Sequence, residues 1–288
     1  MASRPFGFPP CATTGVGSLP FTVPAEALAA AREADIPYVP ELLQLDPSEG
    51  LLQRITKGSE PILRFRLLLD RPRWVKAQLV GPTTLGTPDA KQLVMRTAVE
   101  NVVLLARDGH QVIFFLDEPS LARHPTASPQ GALLNREPNG DEEVLEAIRG
   151  AGALAGLHCC GNTDWSRVLG WPLDFIGFDA RLSIDALTED GAAFRRYVRA
   201  GGALAIGIIP TSGAPYVVRE LVDAVEASLR ASIHSAEECT ALVARSLVTT
   251  ACGLGLASAA DARRINSELR SAQALLRERF GLAPEARA

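Results

Sequence analysis

The chain has 288 residues, 47% hydrophobic and 22% charged, with a formal net charge of −4. That composition fits a globular protein with a large core, built as one large domain or two small ones; the small negative charge gives no basis for a nucleic-acid or anionic-membrane partner, and no apolar run approaches the roughly 20 residues of a membrane span. Five cysteines, an odd number, do not look like a disulfide framework, and the first residues lack the apolar stretch of a secretion signal, so the expected location is cytoplasmic with reduced thiols.

Residues 1–12 are proline-rich and read as a short irregular arm. Residues 13–18 form a short strand running into a glycine turn, and the alanine-rich stretch 24–34 is helical, with Pro24 suited to a first turn. Residues 36–41 are extended, because Pro37 and Pro40 exclude helix, whereas 42–73 show no clear period. A strand over 74–80 stops at Gly81-Pro82, and a long helix from 89 to about 108 leads into the apolar strand 111–116, which delivers Asp117-Glu118-Pro119.

The pattern then repeats. A polar loop (124–140) precedes a helix over 141–149 and the strand that carries His158. A short helix near 165–169 leads to the strand 174–179. A helix over 192–200 ends at Gly201-Gly202, a helix stop. Strand 203–209, helix 216–230, strand 246–253 and an amphipathic helix over 259–280 complete the order. Eight strands alternating with helices predict a single (β/α)8 TIM barrel over 13–288, preceded by the arm. A doubly wound open sheet is the alternative, but no glycine-rich phosphate loop opens a helix to support it.

In such a barrel, chemistry sits at the carboxyl ends of the strands, where Ser18, Glu41, Asp117, His158, Cys160, Asp179 and Cys252 all fall. Within Gly156-Leu157-His158-Cys159-Cys160-Gly161-Asn162, strand alternation sends His158 and Cys160 to one face and Cys159 to the other. An imidazole and a thiolate side by side are half of a tetrahedral zinc site, and Cys252 and Asp179 are the candidates for the rest. Two buried cysteines beside a satisfied histidine are the alternative reading. Cys11 and Cys239 lie outside this geometry and read as structural, and Cys159 as packing beneath a helix. His110, His124 and His234 have no placement that demands function.

Six segments, in order, resemble the catalytic barrel of cobalamin-independent methionine synthases: Gly15-Val16-Gly17-Ser18-Leu19-Pro20, Val80-Gly81-Pro82-Thr83-Thr84, Leu116-Asp117-Glu118-Pro119-Ser120-Leu121, His158-Cys159-Cys160, the strand from Asp174 to Asp179, and Ala251-Cys252-Gly253-Leu254. The His-x-Cys-Gly-Asn form is also similar to corrinoid-dependent methyltransferases of the uroporphyrinogen decarboxylase superfamily. The resemblance implies that His158, Cys160 and Cys252 bind Zn²⁺, with Asp179 standing where the family has a glutamate. It implies that Ser18, with the backbone of Val16 and Gly17, holds the carboxylate of a small thiol such as homocysteine, and that Glu41 and Asp117 bind its ammonium. Glu49 competes with Glu41 for that role, and Asp117-Glu118 could instead cap the following turn.

There are departures from the family. The second, folate-sharing barrel of long members is missing. The loop after the strand 203–209 reads Pro210-Thr211-Ser212-Gly213 where the family holds a histidine, and Gly86 and Thr87 stand near the family's tryptophan. The expectation is therefore a thiol methyltransferase whose donor is a methyl-corrinoid, free or carried by a separate protein, rather than a polyglutamyl folate. A decarboxylase-like lyase and a non-catalytic zinc or thiol binder are the alternatives; Arg4 alone is poor support for the first.

Overall fold

The computed structural model describes residues 6–66, 72–123, 136–213 and 215–282. Arg4 and His124 lie outside the described residues. The chain is α/β, with seven parallel strands in one curled sheet of order β1-β7-β6-β5-β4-β3-β2. The strands are β1 (Ala12–Thr13), β2 (Trp74–Val80), β3 (Gln111–Asp117), β4 (Leu154–Cys159), β5 (Phe175–Asp179), β6 (Ala203–Ile209) and β7 (Leu247–Thr250). Among the described residues, eleven α-helices accompany them: α1 (Pro24–Arg32), α2 (Glu60–Arg66), α3 (Pro82–Leu85), α4 (Ala90–Arg107), α5 (Asp141–Gly150), α6 (Trp165–Val168), α7 (Ala180–Glu189), α8 (Gly191–Arg199), α9 (Val218–Ser232), α10 (Ala236–Arg245) and α11 (Ala259–Arg279). No described helix is long and apolar enough to cross a membrane.

The stretch 36–41, expected as the second strand, is not a regular strand. It makes two isolated bridges, Tyr38 with Lys76 on β2 and Ser18 with Glu41 just past β1. Its backbone bonds reach both edges of the sheet: Ile36 N–H donates to Thr13 O (3.0 Å), Val39 N–H to Lys76 O (2.9 Å) and Glu41 N–H to Gly17 O (3.2 Å). Pro37 and Pro40 have no N–H, so a continuous ladder cannot form here. The helices α2, α3, α7 and α10 are additions to the sequence reading, and the first and last strands are shorter than expected.

Alternation along the strands makes two cores. Val75, Phe114, Leu157, Ile176, Phe178, Ile206 and Val248 face the helices and pack in the larger outer cluster. Trp74, Ile113, Phe115, Phe175, Ala203, Ala205 and Leu247 face the inside of the curl and pack together at the amino end of the strands. The arm seals that end. Phe6 stacks on Phe8 (centroids 5.5 Å apart) and on Phe175 (5.2 Å), and Phe8 meets the edge of Trp74 (5.5 Å). Aromatic pairs at such distances contribute about 0.5–1.5 kcal/mol beyond the area they bury. The other end is left to polar groups.

Candidate functional site

Four strands aim alternate residues at the interior above this aromatic floor. β2 presents Lys76 and Gln78, β3 Asp117, β4 His158 and β5 Asp179. The register pairs Asp117 with His158, and His158 with Gly177. A Cβ at Gly177 would lie 3.0 Å from His158 Nδ1, so glycine there leaves the imidazole its room. Cys159 lies on the opposite face, fully buried in the outer core, and its thiol donates to Gly161 O (3.4 Å). Burial pushes that thiol up to about 12, which makes it chemically inert.

Cys160, one residue past β4, and Cys252, two residues past β7, meet through their thiols. The hydrogen bond from Cys160 holds Cys252 well below the usual thiol value, against burial and with further help from His158. The same bond, then burial and the neighbouring sulfur charge, push Cys160 up. Within the pair, Cys160 is the hydrogen-bond donor and the Cys252 sulfur the acceptor. His158 Nε2 is buried and has no hydrogen-bond partner. An imidazole that acts on the Cys252 sulfur, with the Cys160 thiol bonded to that same sulfur, brings together donor types that suit Zn²⁺. Among the described residues, no group of three or more His, Cys, Asp or Glu is already arranged as a metal cage. The donor types present, one imidazole and two thiols, are those that zinc sites use.

Asp179 carries a competing duty. Its Oδ1 caps α7, accepting from the N–H of Arg181 (2.9 Å) and Leu182 (3.3 Å). These two bonds fall on one oxygen, and the carboxyl is raised by burial, against Arg181 and the two N–H groups. The cap explains why an aspartate suits this position: its short side chain is the right length to reach back to its own helix.

The loop after β1 lies beside the sulfurs. Ser18 Oγ accepts from Gly255 N–H (3.1 Å) and Ser18 O from Leu254 N–H (2.8 Å), tying this loop to the one that carries Cys252. Glu41, 6% exposed, accepts from Gln78 Nε2 at Oε1 (3.1 Å), with Arg54 Nε at 3.7 Å from the same oxygen. Glu49, 1% exposed, uses both oxygens on protein partners: Leu42 N–H (3.0 Å) and Arg54 (3.6 Å) at Oε2, Arg64 at Oε1. Glu49 is thus a structural anchor, and Glu41 is the carboxylate left for the interior.

Asp117 Oδ1 is buried without a partner. Burial raises this carboxyl to about 7, with His158 and Lys76 lowering it and Glu41 and Cys252 raising it. Both the sulfur-bearing groups and the Lys76–Glu41 group thus act on its charge. The turn-capping alternative falls to its neighbour instead. Glu118, fully buried, accepts from Thr83 N–H (2.9 Å) at Oε1 and from Thr84 N–H (2.7 Å) and hydroxyl (2.5 Å) at Oε2. A Cβ at Gly81 would collide with that carboxyl, so the Gly81-Pro82 turn and the Asp117-Glu118 segment are one structural unit.

Sequence reasoning passed over Lys76. It is 2% exposed on the inner face, a place where a lysine is costly without partners. Its one signal in the sequence was a cation in a strand whose every other residue is buried. The remaining candidates are peripheral. Cys11 and Cys239 are buried in the outer core, His110 Nδ1 pairs with Pro72 O (2.6 Å), and His234 is exposed. Gly86, φ 66°, ends α3 in the left-handed conformation, which favours glycine. No known protein-family profile and no curated protein matches this chain.

Proposed function

We propose that the chain is a zinc-dependent methyltransferase acting on a small amino-acid thiol, homocysteine being the acceptor that best fits. The observation that carries the reading is the Cys160–Cys252 thiol pair, with His158 acting on Cys252 and standing in register with the unpartnered Asp117, all at the carboxyl ends of parallel strands. The segment 36–41 serves as the eighth stave of a (β/α)8 barrel, bonded to both edge strands.

Zinc held by His158, Cys160 and Cys252 would lower the pKa of a bound thiol, making a thiolate present near neutral pH. Asp179 is a fourth donor only to the extent that its cap leaves an oxygen free. Asp117 and Glu41 bind the acceptor's ammonium, whose charge favours the ionised form of the unpartnered Asp117. Ser18 and the backbone of Val16 and Gly17 orient its carboxylate.

The donor that suits these residues is a methyl-corrinoid, arriving free or on a partner protein. Transfer from a folate nitrogen requires a proton donor, and the loop after β6 (Pro210-Thr211-Ser212-Gly213) has none. Transfer from cobalt needs no proton: the S–C bond forms, the C–Co bond breaks, and its electron pair stays on cobalt. The test is turnover of homocysteine by zinc-loaded protein with methylcobalamin and with methyltetrahydrofolate in parallel. Methionine formed from methylcobalamin is the expected result. Turnover with the folate alone overturns the donor, and thiol binding without turnover by either leaves a binding protein.

A further inference from the structure

Lys76 has no part in the reading above, yet it is the most deeply buried cation of the interior. Its ammonium donates to Val16 O (2.7 Å) and to Gln78 Oε1 (3.2 Å) and lies 4.9 Å above the centre of the Phe115 ring. Gln78 in turn donates from Nε2 to Glu41 Oε1 (3.1 Å) and to Val39 O (3.0 Å). The loop rests directly on this chain of bonds, because a Cβ at Gly17 would come within 2.5 Å of Gln78 Nε2. Asp117 and Glu41 are the acidic groups whose charge Lys76 feels, and Arg54 the opposing cation.

We propose that Lys76 is the positioning residue of the amino-acid head-group site: its ammonium fixes the loop at Val16 and, through Gln78, the carboxylate of Glu41. This rests on the acceptor being an amino-acid thiol. The groups that would hold a substrate's carboxylate and those that would hold its ammonium come from different parts of the chain, residues 16–18 and 41. Lys76 and Gln78, bonded in series, span them and set their spacing. The Lys76 ammonium is itself committed to a carbonyl and an amide, and so acts on the substrate through these partners. The preference for a free α-amino acid over a plain thiol follows from that arrangement, because an amino acid uses both anchored groups and a plain thiol uses neither.

The experiment compares wild type, Lys76→Met and Gln78→Ala by calorimetry with two ligands, homocysteine and 1-propanethiol, on zinc-loaded protein. Lys76→Met is expected to weaken homocysteine by about tenfold or more while 1-propanethiol stays within about threefold. Gln78→Ala, which cuts the same chain one link later, is expected to move the ratio of the two affinities in the same direction and keeps the test open should Lys76→Met fail to fold. An unchanged ratio in the folded variants overturns the role of Lys76 alone, whether both affinities hold or both fall together. Wild type that binds 1-propanethiol but not homocysteine overturns the amino-acid acceptor, and this inference with it.

Discussion

Asp117 and His158 are register partners on β3 and β4, so the unpartnered carboxyl oxygen and the unpartnered imidazole nitrogen sit on neighbouring strands of one inner face. Adjacent strands lie about 4.8 Å apart, which leaves only a few atoms between a group bound at one and a group bound at the other. On the function proposed above, an acceptor whose ammonium and sulfur are separated by a short aliphatic spacer would reach both. A long or bulky thiol would not.

Metal binding should separate the three clustered thiols. Wild type is expected to hold about one Zn²⁺ per chain with Zn–S distances near 2.3 Å. Cys160→Ser and Cys252→Ser should each release it, whereas Cys159→Ser should retain it, since Cys159 faces the outer core. Metal analysis with X-ray absorption reads both the stoichiometry and the sulfur count; equal loss from Cys159→Ser would contradict the assignment.

Asp117→Asn and Glu41→Gln should weaken homocysteine without removing zinc, by about 1.5–3 kcal/mol for each charge-assisted bond lost. Asp117 also sets a pH dependence. With its carboxyl raised to about 7, the group is neutral below that value and cannot pair with an ammonium, so wild-type affinity should climb as pH rises through about 7. In Asp117→Asn this climb should be absent. For stability the sign is opposite: the folded state holds this proton more tightly than the unfolded chain, so the group's contribution declines as pH rises from about 4 through about 7. Asp117→Asn should flatten that decline in a urea series.

Glu118→Ala should cost stability rather than chemistry. It strands two buried N–H groups and a hydroxyl at the Gly81-Pro82 turn, each worth about 1–3 kcal/mol when left unsatisfied. Chemical denaturation should show a loss of several kcal/mol, and zinc stoichiometry of the folded fraction should be unchanged.

The parts of the fold written in simple periods were legible beforehand. The strands 74–80 and 111–117 announce themselves by apolar runs ended by Gly81 and by Asp117-Glu118, and period-two alternation separated His158 from Cys159. Residues 36–41 were legible as extended but not as bridges, because ladder formation there depends on two edges that only the assembled sheet provides. Helix α7 was hidden because it starts on the very residue read as a metal ligand: Asp179 ends β5 and caps α7 in the same stroke. The duties of Lys76, Glu41 and Glu49 were not assigned, since they depend on partners 5 to 60 residues away in sequence. An ion pair across that span has no local pattern.

The aromatic floor should be separable from the mouth. Phe8→Ala is expected to lower stability by about 1.5–3 kcal/mol, the worth of burying such a side chain, with homocysteine affinity unaltered. Thermal unfolding and calorimetry on the same sample check the two halves of this statement.

The arm's attachment carries a consequence for how the protein comes together. Pro10 O and Cys11 O accept from Arg277 Nε (2.9 Å) and Gln273 Nε2 (2.8 Å), both on α11, more than 260 residues later in the chain. β1 pairs only with β7 in the sheet, and the floor it leads from needs β2 and β5 as well. The arm is therefore made long before its partners on α11, a connection of very long sequence separation whose closure is slow. Until α11 emerges, the inner aromatic cluster has an open underside. The amino end of a nascent chain is thus where a holdase would gain most, and protection of Cys11 from a thiol-labelling reagent would time the final step of folding.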